Sequence, residues 1–142
     1  MFRKISDAIY ASPQISGDDI AAASELGIGL VINNRPEAES EDQTPGTEIE
    51  AAAVAAGMKY LAIPVTHSGF SEPQIKAMVR ALESTEQPIL AYCRSGTRST
   101  LLWSLAEASR GMDPQKIAAC ASNAGYDVSP IQPMIDMLAA AG

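Results

Sequence analysis

Short apolar runs alternate with helix-forming stretches along this chain, and the alternation limits the folds open to it. Four runs have the length and composition of buried strands: residues 9–11, 28–33, 58–65 and 89–92. Helical periodicity or capping residues mark the stretches between and after them: residues 17–26, 47–56, a helix beginning at 71–74, 97–110, a helix from Asp113-Pro114 to Asn123, and a last helix from Ser129-Pro130. Strands that alternate with helices predict an α/β fold with a mostly parallel central sheet flanked by helices.

The length and composition of the chain fit one domain. Its 142 residues are enough for a single hydrophobic core and too few for two, and 46% of them are apolar. We therefore expect residues 1–142 to form a single α/β domain.

The charge and the cysteine count restrict the partners and the compartment. A formal net charge of −7 repels polyanions, so we expect neither nucleic acid nor a membrane surface as a partner. No apolar stretch approaches the roughly 18 residues of a membrane span, and no signal-peptide pattern follows Met1. Two cysteines are too few for a disulfide framework, which favours a reducing, cytoplasmic setting. No residues have metal-ligand spacing, so we expect no metal and no cofactor; the oligomeric state stays open.

The predicted sheet indicates where a ligand would bind. In open parallel sheets the site lies beyond the carboxyl ends of the strands. That rule brings together three loops: the one after Asn33, the one after Val65 and the one that begins at Cys93.

The loop from Cys93 to Ser99, with the sequence Cys-Arg-Ser-Gly-Thr-Arg-Ser, has the composition of an anion-binding turn between a strand and a helix. Inward-facing N–H groups and a helix N-terminus attract negative charge, and Gly96 lets the backbone approach a ligand. Arg98 adds a cation that can grip two oxygens of one anion. A thiol in this setting is expected to ionise below its free pKa of about 8.5. We therefore predict that Cys93 is a catalytic nucleophile rather than a buried core cysteine.

The other residues of this loop are candidate ligands of the same anion. Ser95, Gly96 and Thr97 would contribute mainly backbone N–H groups, and Arg94 would point either to the substrate or to solvent. Ser99 is expected to donate a hydrogen bond to the sulfur.

Two residues of the neighbouring loops are further candidates. His67, the only histidine, would orient the substrate or act as a general acid or base, because its unperturbed pKa of about 6.5 suits proton transfer; the alternative is a loop residue that caps nearby backbone. Arg35 would bind a second anionic group of the substrate, or else pair with one of the glutamates that surround it: Glu37, Glu39 and Glu41.

Four stretches of the chain resemble the phosphatase-like domain of beta-lactamase-hydrolase-like proteins, a bacterial family related in fold to dual-specificity tyrosine phosphatases. They are residues 5–15, 32–37, 60–65 and 91–99. The resemblance implies a tyrosine-phosphatase-like fold, with Cys93 as nucleophile and Arg98 as the arginine that grips the anion.

The chain departs from ordinary tyrosine phosphatases at three points. Those enzymes place five residues between cysteine and arginine, whereas four stand here, from Arg94 to Thr97. They have His before the cysteine, and this chain has Tyr92. They carry an Asp general acid after the preceding strand, and residues 64–68 hold no carboxylate.

The four-residue spacing instead resembles the active loop of rhodaneses, which are sulfurtransferases that carry a persulfide on the cysteine. A shorter loop makes a smaller anion-binding site, which suits a sulfane sulfur better than a whole phosphoryl group. Sulfite also leaves as a stable anion, so sulfur transfer needs no general acid. The main hypothesis is therefore a sulfurtransferase that takes sulfur from thiosulfate or a small persulfide onto Cys93. The alternative is a phosphatase like the protein-tyrosine and dual-specificity phosphatases, which hydrolyses a phosphate ester through a phosphocysteine, with His67 or water replacing the missing Asp. A non-catalytic anion-binding module is the second alternative.

Overall fold

One five-stranded sheet organises the protein, whose structure, a computed structural model, describes residues 1–141. The strand order is β1-β2-β5-β3-β4. The strands are β1 (Arg3–Ser6), β2 (Ile9–Ser12), β3 (Leu30–Asn33), β4 (Lys59–Ala62) and β5 (Ile89–Tyr92). Only the β1–β2 pair is antiparallel within this sheet. The predicted α/β fold with a mostly parallel sheet is confirmed.

Helices cover both faces of the sheet. They are α1 (Asp19–Glu25), α2 (Gly46–Ala55), α3 (Glu72–Glu83), α4 (Thr97–Ser109), α5 (Pro114–Asn123) and α6 (Gln132–Ala141), with a 3₁₀ turn (Ser129–Ile131) before α6. The predicted capping chemistry is present at α5, where the Asp113 side chain accepts a hydrogen bond from the N–H of Gln115 at 2.8 Å.

The two faces of the sheet bury separate apolar clusters. Ile32 and Ala91 pack with residues of α3 to α6, whereas Val31 and Leu90 pack with residues of α1 and α2. Successive strand residues point to opposite faces, so strands covered on both sides must be apolar throughout. This explains why β3 and β5 stand out in the sequence as continuous apolar runs.

The first strand was not predicted. β1 lies at the edge of the sheet, and of its residues only Ile5 is buried. Its sequence, Arg-Lys-Ile-Ser, carries two exposed cations, and the strand is stabilised by pairing with β2 rather than by burial. An apolar pattern therefore cannot reveal it.

The register of the parallel strands brings the predicted loops together. Asn33 of β3 pairs with Tyr92 of β5 on one side and with Ala62 of β4 on the other. The loops that follow these three strands consequently begin at the same edge of the sheet. Within residues 1–141, no helix has both the length and the apolar character needed to cross a membrane.

Candidate active site

Cys93 lies directly after β5, at the base of the loop that leads into α4. Its side chain is fully buried, and its Sγ accepts a hydrogen bond from the N–H of Gly96 at 3.1 Å. Gly96 caps the N-terminus of α4 with a φ of 92°, a left-handed conformation that favours glycine. The loop therefore aims at least one backbone donor and the start of a 13-residue helix at the sulfur.

Arg98 stands on the first turn of α4 and is mostly buried. Its Nη1 donates to the Val65 carbonyl at 2.7 Å and to Oε2 of Glu39 at 2.8 Å. Its Nη2 donates to the other oxygen of Glu39, also at 2.8 Å. The guanidinium thus grips the Glu39 carboxylate through two parallel hydrogen bonds. Hydrogen bonding to Glu39 is the largest cause that raises the pKa of Arg98, opposed by burial and supported by the nearby Cys93 sulfur.

Arg35 donates to the same carboxylate as Arg98. Its Nε donates to Oε1 of Glu39 at 2.9 Å, its Nη1 to Gln14 at 3.0 Å and its Nη2 to Ser40 at 3.1 Å. The side chain is 4% exposed, so this is a buried cation. The sequence suggested two roles for Arg35, and the structure shows one of them, the ion pair with a neighbouring glutamate. Binding of a second anionic group of the substrate by Arg35 stays a prediction.

Glu39 is the residue that joins the two arginines, and its carboxylate is ionised. Hydrogen bonds from Arg98, against a smaller opposing effect of burial, lower its pKa from an ordinary 4.5 to about 2, and Arg35 adds to this effect. A group that is ionised throughout the neutral range cannot donate a proton there. Glu39 therefore does not replace the missing general acid in this conformation.

Ser99 differs from its expected role. Its hydroxyl is buried and donates to Oδ1 of Asn34 at 2.7 Å. A hydroxyl has a single proton, so in this conformation Ser99 does not donate to the sulfur. Asn34 in turn donates to the Ile63 carbonyl at 2.9 Å. The structure does not contain the expected Ser99–sulfur bond; the hydroxyl instead joins α4 to Asn34, which contacts the segment after β4.

The remaining predicted residues have exposed side chains. Arg94, Ser95 and Thr97 have exposed side chains, and the Ser95 hydroxyl donates to Oγ1 of Thr97 at 3.0 Å. His67 is 82% exposed, and its Nε2 lies 3.9 Å from Oε2 of Glu39. A catalytic role for His67, like the anion-binding roles of these residues, stays a prediction. Within residues 1–141 no three His, Cys, Asp or Glu side chains are grouped as a metal site.

Tyr126 was not predicted from the sequence, although it contacts the candidate loop. Its hydroxyl donates to the Ser95 carbonyl at 3.2 Å, and a Cβ at position 96 would collide with this hydroxyl and the ring carbon that bears it. The residue follows α5, roughly thirty positions after the loop, and no motif marks it. Glu39 was foreseen only as one of three possible partners of Arg35, and its bond to Arg98 was not foreseen.

Comparison with known proteins identifies the family. Residues 1–110 match the family model described as the beta-lactamase hydrolase-like protein, phosphatase-like domain. The chain belongs to this family. A beta-lactamase hydrolase-like protein from Xylella fastidiosa is 34% identical over 126 residues, which cover 87% of this chain and 29% of the relative. The chain therefore spans under a third of that relative's length.

Solved structures support the same fold. A candidate phosphatase from Neisseria meningitidis is 31% identical, with a TM-score of 0.84 and coverage of 96% of both chains. P. aeruginosa TpbA, solved in complex with pTyr, is 17% identical, with a TM-score of 0.67 over 99% of this chain and 88% of that one. The tyrosine-phosphatase-like fold and the resemblance drawn from the sequence are confirmed.

These comparisons change the order of the functional hypotheses. The chain has a phosphatase-like fold and belongs to a phosphatase-like family, which supports a hydrolase enzyme. Nothing in the names of these relatives refers to sulfur transfer. They favour the phosphatase alternative over the sulfurtransferase that the loop spacing placed first.

Proposed function

We propose that the protein is a phosphate-monoester hydrolase that works through a phosphocysteine on Cys93. The observation that carries the proposal is the geometry of one loop. The buried Sγ of Cys93 accepts a hydrogen bond from the N–H of Gly96, and Arg98 lies in the first turn of the helix that follows. Such a cradle stabilises a thiolate before attack and the equatorial oxygens of the phosphoryl group during it. The family and the fold support this chemistry.

In the first step, the Cys93 thiolate attacks phosphorus, and the bond to the ester oxygen breaks. The oxygen leaves with the bonding electron pair, and the phosphoryl group stays on the sulfur. In the second step, water attacks the phosphocysteine, which releases inorganic phosphate and restores the thiolate. Arg98 would hold two phosphoryl oxygens in both steps, with the fork that now holds Glu39.

The leaving group is the point at which substrates should differ. Glu39 is held ionised, so the first step lacks a carboxylic acid within the bonded network around Arg98. An alkoxide is a poor leaving group without a proton, whereas a phenoxide is stable enough to leave alone. We therefore propose aryl phosphates as the substrate class, which agrees with the pTyr bound to the distant neighbour TpbA.

The test compares hydrolysis of aryl phosphates by the wild type, Cys93→Ser and Cys120→Ser. Cys120, in α5, is the matched control, because it is the other free cysteine. We expect activity to vanish with Cys93→Ser and to persist with Cys120→Ser. Across phenols of increasing acidity the rate should rise steeply. Hydrolysis that survives Cys93→Ser would refute the proposal.

Sulfur transfer is the second candidate, and the spacing of the loop favours it. Only four residues separate Cys93 from Arg98, and sulfite, unlike an alkoxide, needs no acid to leave. Here Sγ would attack the outer sulfur of thiosulfate, sulfite would leave, and cyanide or a thiol would then remove the sulfur. Thiocyanate formation that depends on Cys93, without phosphate release, would establish this candidate instead. Oxyanion binding without turnover in either assay would indicate a binding module.

A further inference from the structure

Glu39 occupies the fork of Arg98 through which that residue would hold a substrate. Both carboxylate oxygens lie 2.8 Å from the two terminal nitrogens of the guanidinium. A phosphoryl or sulfonate group gripped by the same fork would put its oxygens on the same nitrogens. Substrate and Glu39 therefore compete for one position.

The two arginines also make the position unusually positive once Glu39 leaves. Arg35 and Arg98 have side chains only 4% and 11% exposed, and both donate to this one carboxylate. A monoanion that replaced Glu39 would leave the net charge at this position unchanged and would gain little binding free energy. A dianion would add a second negative charge between two poorly hydrated cations.

The segment that carries Glu39 is held in place by its own hydrogen bonds and does not bury Glu39 in the hydrophobic core. Glu39 follows Ala38, which has a φ of 57°, a conformation unfavourable for an alanine. The segment is closed by side-chain hydrogen bonds from Gln43, whose Oε1 accepts the Glu39 N–H at 2.9 Å and whose Nε2 donates to the Pro36 carbonyl at 2.9 Å. Strained backbone of this kind clusters at active sites, ligand clamps and switch regions.

We propose that Glu39 is a specificity-determining residue: it is a resident counter-anion that a substrate must displace from Arg98 and Arg35, and it thereby selects dianions over monoanions. The inference deepens the proposed function, since it assumes that the reacting anion binds at Arg98. Aryl phosphates and thiosulfate carry two charges near neutral pH and pass this selection. Phosphodiesters and simple carboxylates carry one charge and should not displace Glu39.

The test is equilibrium binding of inorganic anions, measured by calorimetry at pH 8. Sulfate is the dianion probe and nitrate the monoanion probe. The variants are Glu39→Gln and the control Glu41→Gln, which makes the same change in net charge at an exposed position of the same loop. We expect sulfate to bind Glu39→Gln about tenfold more tightly than it binds the wild type, and nitrate to bind only Glu39→Gln. Glu41→Gln should behave like the wild type.

Two results would overturn the inference. Sulfate that binds Glu39→Gln more weakly than the wild type would mean that Glu39 aligns Arg98 for the substrate. Equal affinity in the two proteins would mean that Glu39 does not occupy the anion position. Neither result requires turnover, so a protein that binds anions as expected but releases no phosphate would refute the proposed function alone.

Glu39→Asp covers the case in which loss of the charge prevents folding. The shorter side chain keeps the negative charge but cannot span both arginines as well. We expect it to bind sulfate more tightly than the wild type does. Iodoacetamide should also alkylate Cys93 faster in Glu39→Asp than in the wild type when no anion is present, and sulfate should remove that difference. An unchanged affinity together with an unchanged alkylation rate would count against the inference.

Discussion

Gly96 sets the shape of the loop on which the proposed chemistry depends. It has a φ of 92°, donates its N–H to the Cys93 sulfur and is the residue that precedes the first turn of α4. A Cβ at this position would meet the Tyr126 side chain and the backbone of Ser12. Position 96 consequently needs glycine for two reasons, the backbone conformation and the space.

Gly96→Ala should therefore damage catalysis more than stability. The left-handed backbone alone costs an alanine roughly 1–2 kcal/mol, whereas displacing the loop by about 1 Å can lower the rate about 100-fold. Gly111→Ala is the matched control: its φ is 99°, it follows the other end of α4, and nothing lies within 4 Å of its Cβ position. Urea unfolding should show a loss of stability in both variants, larger in Gly96→Ala because its Cβ also meets Tyr126, and kcat/KM should fall strongly only in Gly96→Ala. Equal activity losses would refute this role of the loop.

The elements around the site are held together by a buried pair, Asn34 and Ser99. Asn34 follows β3, accepts from Ser99 of α4 and donates to Ile63 just after β4. Its own N–H donates to the Tyr92 carbonyl of β5 at 2.8 Å. Through its side chain and its backbone N–H, this one residue links the ends of three strands to the helix that carries Arg98.

Ser99→Ala should weaken this link and destabilise the fold. It leaves the buried Oδ1 of Asn34 without its donor, which costs about 1 to 3 kcal/mol. Ser104→Ala, in the same helix, is the control, because the Ser104 hydroxyl donates only to the carbonyl of Thr100, which keeps its helical partner. In chemical unfolding, the free energy of unfolding should fall more in Ser99→Ala than in Ser104→Ala. If Ser99→Ala instead slows alkylation of Cys93 at unchanged stability, the hydroxyl reaches the sulfur after all.

The elements also show what the sequence can and cannot predict. β3 and β5 are buried on both faces, so their hydrophobicity identifies them in the sequence. The loop from Cys93 to Ser99 is continuous in sequence, so its motif can be read directly. β1 depends on pairing with β2, and no apolar pattern marks it. The Glu39–Arg98 pair joins residues 59 positions apart, and Tyr126 reaches Ser95 over 31 positions. Such contacts follow from the packed fold, and a single sequence carries no sign of them.

At the scale of the whole molecule, an acidic protein encloses a small basic site. The net charge is −7, yet Arg35 and Arg98 are buried side by side around Glu39. The long-range field repels anions, and the local guanidiniums bind them. The stability of this arrangement should depend on the charge of Glu39.

Acid should remove the contribution of Glu39 to stability. Its pKa is lowered in the folded protein, from 4.5 to about 2, so its contribution is complete above pH 4.5 and is lost as the pH falls toward 2. The stability difference between the wild type and Glu39→Gln should be on the order of 1 to 3 kcal/mol near neutral pH and should shrink across that window. Urea unfolding at several pH values, in buffers without phosphate or sulfate, measures it. A difference that is constant from pH 7 to pH 2.5 would contradict the ionised state of Glu39.

The most direct test of the account is the mass of the protein caught during turnover. The wild type is mixed with an aryl phosphate, quenched in acid within one turnover, and analysed by intact-mass and peptide mass spectrometry. The account predicts one added phosphoryl group on Cys93 and none in Cys93→Ser. Phosphate release with no phosphoryl group on Cys93, or a phosphoryl group on another residue, would contradict it.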